Sequence, residues 1–124
     1  ANGHGNARAL AKLYGALALG GELDGVRIIG RETLLRASAE QWEAPDLATG
    51  LRMRLGLGFR LGSADTPMGP NRAAFGSTGA GGAISFCDMD AGIGFGYAMN
   101  AKYPGLAVGP RTAALVDALY DCEF

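Results

Sequence analysis

One stretch of this chain gathers hydroxyl and glycine residues densely enough to do chemistry: Phe75-Gly76-Ser77-Thr78-Gly79-Ala80-Gly81-Gly82-Ala83-Ile84-Ser85-Phe86. Two chemistries are the first to test against it: phosphate binding by a glycine loop and attack by a serine. A phosphate loop needs a Lys at a fixed spacing after its glycines, and none follows here. The clusters Gly56–Gly58, Gly79–Gly82 and Gly92–Gly96 do not complete G-x-G-x-x-G, and none opens a helix after a parallel strand. A nucleophile elbow would need Gly at position 75, where the chain has Phe. The Ser-x-x-Lys pattern is absent too. The lysines are Lys12 and Lys102, and Ala9 and Met99 stand three residues before them. A serine nucleophile also needs a base within reach, and His4, the single histidine, would have to serve. His4, Cys87 and Cys122 do not have the spacing of a tetrahedral metal site. The two cysteines make no disulfide framework and read as unpaired thiols. No cofactor is implied.

The elements that would hold this stretch are legible in outline. Asn6 is a good N-cap for a helix over Ala7 to Leu19, with Leu10, Leu13, Tyr14 and Leu17 at helical spacing and Gly20-Gly21 as its stop. Glu22 to Gly25 reads as a turn, and Val26 to Ile29 as a short extended piece. Arg31 to Ala39 forms a second helix with Leu34 and Leu35 inward. The spacing predicts a loop over Glu43 to Arg54 and a strand over Leu55 to Leu61, where Leu55, Leu57, Phe59 and Leu61 alternate. Further strands are expected over Ala73 to Gly79 and Ala83 to Cys87, with a hairpin connection at Asp88 to Gly92. Ile93, Phe95, Tyr97 and Met99 then alternate with Gly94, Gly96 and Ala98. A solvated face would carry polar residues at the second set. Glycine and alanine there mean that both faces are covered and that something packs very closely on the small-residue side. Pro110 suits the first turn of a third helix, whose stripe is Thr112, Leu115, Val116 and Leu119. This order of elements is α+β, with about four antiparallel strands and flanking helices.

Composition sets the outer bounds. The chain has 124 residues, enough for one domain that buries roughly two thirds of its unfolded surface. Hydrophobic residues are 48% of it, which excludes a disordered polar chain. Eleven Lys and Arg against 12 Asp and Glu give a net charge of -1, so nothing points to a nucleic-acid partner. No apolar run reaches the length of about 18 residues that a membrane-spanning helix needs.

Taken in order, these residues resemble a known family. Phe75-Gly76-Ser77-Thr78-Gly79-Ala80-Gly81-Gly82, then Ile84-Ser85-Phe86 and Gly92-Ile93-Gly94-Phe95-Gly96-Tyr97-Ala98-Met99-Asn100, resemble the third motif region of penicillin-binding-protein-like serine hydrolases. They are most similar to the β-lactamase-related esterases of the class C type. Asn2-Gly3 with Ala7 to Tyr14 and Gly20-Gly21 is similar to the family's helix before that motif. Leu55-Gly56-Leu57-Gly58-Phe59 resembles the strand before it. In that family a Lys-Thr-Gly or His-Thr-Gly triplet lies on an edge strand and a two-stranded hairpin follows. The triplet falls here on Ser77, Thr78 and Gly79.

The resemblance implies a half-site. The Ala80 backbone N–H would donate to the oxyanion, Gly79 would let substrate approach, and Thr78 would hydrogen-bond a substrate carboxylate or carbonyl. The nucleophilic Ser, its Lys and the assisting Tyr of the family lie in motifs that would precede Ala1, so residues 1–124 read as one partial domain, inactive alone. Ser77 stands where the family has a cation, which tilts the substrate towards a neutral ester or amide. The implied partners are a small ester or amide substrate and either the missing N-terminal portion or a second copy of the chain. A reading from a different class is a non-catalytic module that self-associates through its sheet and apolar helices.

Overall fold

The computed structural model describes residues 3–105 and 108–122; Ala1 and Asn2, and with Asn2 one part of the resemblance, lie outside them. Helix α1 spans Ala7–Ala18, and the Asn6 side chain accepts a 2.9 Å hydrogen bond from the Ala9 N–H, as an N-cap does. Its last carbonyls are closed by Gly20 N–H donating to Leu17 O and Gly21 N–H donating to Ala16 O. This is a Schellman ending, which needs the positive φ of Gly20. A small hairpin follows, β1 (Glu22–Leu23) with β2 (Val26–Arg27), turning on Asp24-Gly25, both in the left-handed region. Helix α2 is Arg31–Ser38. Leu34 is fully buried there, but Leu35 faces outward, contrary to the expectation for that residue.

The main sheet holds six antiparallel strands in chain order, two more than the expected four. They are β3 (Trp42–Pro45), β4 (Arg52–Leu55), β5 (Arg60–Leu61), β6 (Phe75–Thr78), β7 (Ile84–Asp88) and β8 (Ile93–Tyr97). The extra strands lie where a loop was expected. The strand expected over Leu55 to Leu61 is instead a turn between β4 and β5: Gly56 N–H donates to Phe59 O, Gly58 has φ of 90°, and Leu57 points into solvent. The alternation of leucines there was the pattern of two strand ends facing across a turn.

Both sheet faces are covered, as the small-residue pattern predicts. Tyr14, Leu17 and Ala18 of α1 pack with Leu34, Leu61, Phe75 and Cys87 on one face. Met68, Ala74, Ile84, Phe86 and Val116 pack on the other, beneath helix α3 (Pro110–Tyr120). The close partner of the glycine face is α1: a Cβ on Gly94 would lie 2.2 Å from Gly15 N, and one on Gly96 would lie 2.6 Å from Ala7 O. The helix stripes are narrower than the spacing suggested, for Leu13 of α1 and Leu115 of α3 are both exposed.

A buried carboxylate ties α3 to the β7–β8 turn. Asp88 accepts from the Tyr120 hydroxyl (2.9 Å), from Asn71 Nδ2 (3.0 Å) and from the N–H groups of Asp90 and Ala91. Burial first, and then this bond to Asp88, push the Tyr120 hydroxyl well above the usual phenol range.

Both thiols are free, and they differ in reach. Burial pushes the Cys87 thiol up from 9.0 to about 12, with the Asp88 charge adding to it, whereas Cys122 is exposed. A colorimetric disulfide reagent is therefore expected to modify Cys122 alone in the folded chain, and Cys87 only after unfolding. The stabilisation from keeping Cys87 protonated is complete below about pH 9 and is lost as pH rises towards about 12. Rapid double modification at neutral pH would contradict this placement.

Candidate functional site

Strand β6 carries the Ser77-Thr78-Gly79 triplet, and its surroundings decide what the triplet can do. On one side it pairs with β7 along its length, Phe75↔Cys87 to Thr78↔Ile84. On the other side β5 pairs with Phe75 and Gly76 and goes no further. The triplet strand is thus not an edge strand throughout, as expected, but an inner strand whose outer edge opens at Ser77. The turn over Gly56 to Phe59 is what carries the neighbouring chain away.

Backbone hydrogen bonds continue past the end of β6. Gly79 N–H donates to Ala83 O at 2.9 Å, towards β7. Ala80 comes next, in the turn that follows the strand. Ala80 is exposed, and among the described residues its N–H donates to nothing. The turn after it is held firmly. Gly81 and Gly82 have φ of 95° and 101°, a conformation that favours glycine. Gly82 N–H donates to Gly79 O, Tyr103 N–H donates to Gly81 O, and the Thr112 hydroxyl of α3 donates to Gly82 O at 2.7 Å. An unpaired donor on a pinned turn is what an anion developing on a substrate needs.

Ser77 is exposed and pairs with Ser85 across the sheet. It borders two cavities of about 300 Å³ each. One is shared with Leu10, Thr78, Gly79 and Ser85, the other with Leu55, Phe59 and Arg60. Larger open grooves, about 530 Å³ beside Tyr120 and about 560 Å³ beside Arg31, carry none of the triplet residues. Thr78 is half-buried, and its Oγ1 accepts a 3.1 Å hydrogen bond from Arg60 Nη1. So Ser77, Thr78 and Gly79 share one cavity, and Ser77 shares the other with Arg60, a cation that the sequence did not single out; Ala80 follows on the turn and lines neither of the two. His4 lies exposed before α1 and makes no hydrogen bond or ion pair among the described residues. No helix is long and apolar enough to cross a membrane among the described residues.

These features have counterparts in known proteins. A β-lactamase family model matches residues 1–119, and the chain belongs to the β-lactamase family. It is 38% identical over 101 residues to the esterase/β-lactamase LipL of Mycobacterium tuberculosis, covering 81% of this chain and 23% of that protein. Its structure matches a family VIII carboxylesterase with a TM-score of 0.89 and 42% identity, over 96% of this chain and 32% of the other. A penicillin-binding protein homologue from Caulobacter crescentus matches with a TM-score of 0.87 and 36% identity, over 93% of this chain and 31% of the other. EstA of Arthrobacter nitroguajacolicus Rue61a matches with a TM-score of 0.78 and 32% identity, over 93% of this chain and 31% of the other. The chain therefore spans between about a quarter and a third of the length of these relatives.

Proposed function

We propose that this chain is the C-terminal part of a β-lactamase-like serine hydrolase that cleaves a small ester or amide through an acyl-enzyme, and that its share of the work is the oxyanion strand and one wall of the cleft. The observation that carries this is the Ala80 N–H, unpaired among the described residues and borne by an exposed residue of the turn that follows β6. In this reading Ala80 stabilises the negative oxygen formed when the serine attacks, a contribution of about 3 kcal/mol in comparable sites. Gly79 lets the substrate lie against the strand, and Thr78 and Ser77 offer hydroxyls to it. The serine and its base come from outside residues 1–124. No cofactor or metal takes part in the proposed reaction.

Two measurements test the reading. Residues 1–124 alone are expected to hydrolyse a chromogenic short-chain ester no faster than background. Stoichiometric labelling of one of their serines by a fluorophosphonate probe would overturn the assignment of the nucleophile elsewhere. The reading frame upstream of Ala1 is expected to encode a Ser-x-x-Lys pattern, and the intact mass of the natural product is expected to exceed that of residues 1–124.

The self-associating module is the second reading, and exposed apolar residues favour it: Trp42 on the outermost strand β3, and Leu47 and Leu57 on nearby turns. Light scattering distinguishes the two. A concentrated, well-behaved monomer of residues 1–124 removes the support for association.

A further inference from the structure

We infer that Thr112 is a positioning residue for this site: its hydroxyl, reaching from helix α3, holds in place the turn that carries the Ala80 N–H. The inference rests on the reading of Ala80 as the oxyanion donor and adds the side chain that fixes that donor.

The turn needs an outside hold because of its composition. Three of the four residues from Gly79 to Gly82 are glycine, and glycine leaves the backbone its widest choice of conformation. A donor that stabilises developing charge must instead be fixed before the reaction begins. One bond lies inside the turn, from Gly82 N–H to Gly79 O at 3.1 Å. Two holds come from outside it. The first is backbone: Tyr103 N–H donates to Gly81 O at 2.8 Å, and Gly81 N–H donates to Gly105 O at 3.4 Å. The segment Tyr103 to Gly105 that makes it is itself exposed and outside any helix or strand. The second is Thr112, whose Oγ1 donates to Gly82 O at 2.7 Å.

The hold from Thr112 is the firmer of the two. Thr112 is buried in the first turn of α3, where its own N–H donates to Gly109 O at 3.0 Å. A β-branched side chain on a helix has few rotamers, so the hydroxyl stays where the backbone places it. The helix is anchored further along, by Val116 in the cluster with Ile84 and Phe86 and by the bond from Tyr120 to Asp88. Thr112 stands in the same stripe as Val116, where packing alone would accept a valine. The hydroxyl has a use of its own there: among the described residues it is the sole donor to Gly82 O, a carbonyl of a buried residue. Gly81 and Gly82 thus have both backbone groups engaged, and the Ala80 N–H between Gly79 and Gly81 is left for a substrate oxygen.

The test uses the full-length protein and p-nitrophenyl butyrate. Thr112→Val keeps the shape and removes the hydroxyl. It is expected to lower kcat about tenfold, less than loss of the donor itself would, while KM changes less than about threefold. Thr112→Ser returns the hydroxyl and is expected to bring kcat to within about threefold of the parent. Val116→Ala loosens the same helix away from the turn, so its melting temperature falls while its kcat is expected to stay within about twofold. A parental kcat in Thr112→Val, an equal fall in Val116→Ala, or a serine variant no better than the valine one would each make Thr112 a packing residue and overturn the inference. Amide hydrogen exchange at Gly81 and Gly82 separates this from the hydrolase reading. Should the parent not turn over the ester, the hydrolase reading fails, and the hold on the turn is judged on exchange alone. Exchange about tenfold faster in Thr112→Val than in the parent and in Val116→Ala upholds it, and unchanged exchange ends it.

Discussion

Replacing Ala80 by proline in the full-length protein is expected to lower kcat by about two to three orders of magnitude, with KM changed far less. The size follows from what one preorganised donor contributes when negative charge develops on an oxygen in a water-poor site. The split follows because the ground-state carbonyl needs that donor much less than the transition state does. Proline is the right probe because the change lies in the backbone, and no side-chain truncation removes an N–H. The fold should tolerate it. Ala80 is exposed, lies outside the positive-φ residues, and its N–H stabilises nothing within the described residues. The bond from Gly79 N–H to Ala83 O, and those that hold Gly81 and Gly82, remain available. The melting temperature should therefore stay within a few degrees of the parent. Ala80→Gly keeps the donor and is expected to lose far less activity. A proline variant with parental kcat would show that the oxyanion is held elsewhere, and the assignment of β6 would fall with it.

The helices, the β7–β8 hairpin and the triplet strand were legible because each is announced locally. Asn6, Gly20-Gly21 and Pro110 mark helix ends through hydrogen-bonding rules that act within a few residues. The residues of β3 and β4 give no such signal. β4 reads Arg52-Met53-Arg54-Leu55, and its Arg54 is buried. What makes that burial possible is remote in sequence. Glu40 and Glu43 pair with its guanidinium, and the carbonyls of Gly62 and Arg72 accept from it. A buried charge needs such partners, and a pattern of apolar residues cannot reveal them. Pro45, too, lies within a strand that the apolar pattern does not announce. At the end of the outermost strand its missing N–H costs no ladder bond.

The site shows the same division. Ser77, Thr78, Gly79 and Ala80 are contiguous, so their grouping was visible in the sequence. Arg60 joins them through the Arg60↔Gly76 register, which depends on where the turn over Gly56 to Phe59 falls. Reading that segment as one continuous strand placed Arg60 among alternating leucines and hid its reach to Thr78. A single misplaced turn thus concealed the cation that stands beside Thr78.

Gly94→Ala should be among the most damaging small substitutions in the chain, while Gly15→Ala, on the other side of the same contact, should stabilise it. A methyl on Gly94 would lie 2.2 Å from Gly15 N, 2.3 Å from Gly15 Cα and 2.7 Å from the Tyr14 carbonyl carbon. All three are helix backbone, which cannot rotate aside as a side chain can. The helix α1 must move outward, and Tyr14, Leu17 and Ala18 move with it, out of their packing against Leu34, Leu61 and Phe75. Overpacking of this kind costs about 1–3 kcal/mol or more, which lowers the melting temperature of a domain this size by roughly 5–15 °C. Gly15 differs because its own missing Cβ points into open space. Alanine there adds no clash and removes the entropic cost of glycine within a helix, so a gain of about 0.5–1 kcal/mol is expected. Thermal melts of the two variants decide the point. The opposite signs are the signature of backbone packed on backbone, because a contact made through side chains would leave Gly94→Ala mild. A Gly94→Ala protein that melts with its parent would show that α1 does not rest on β8, and the close packing inferred from the Gly-Ala alternation of β8 would be wrong.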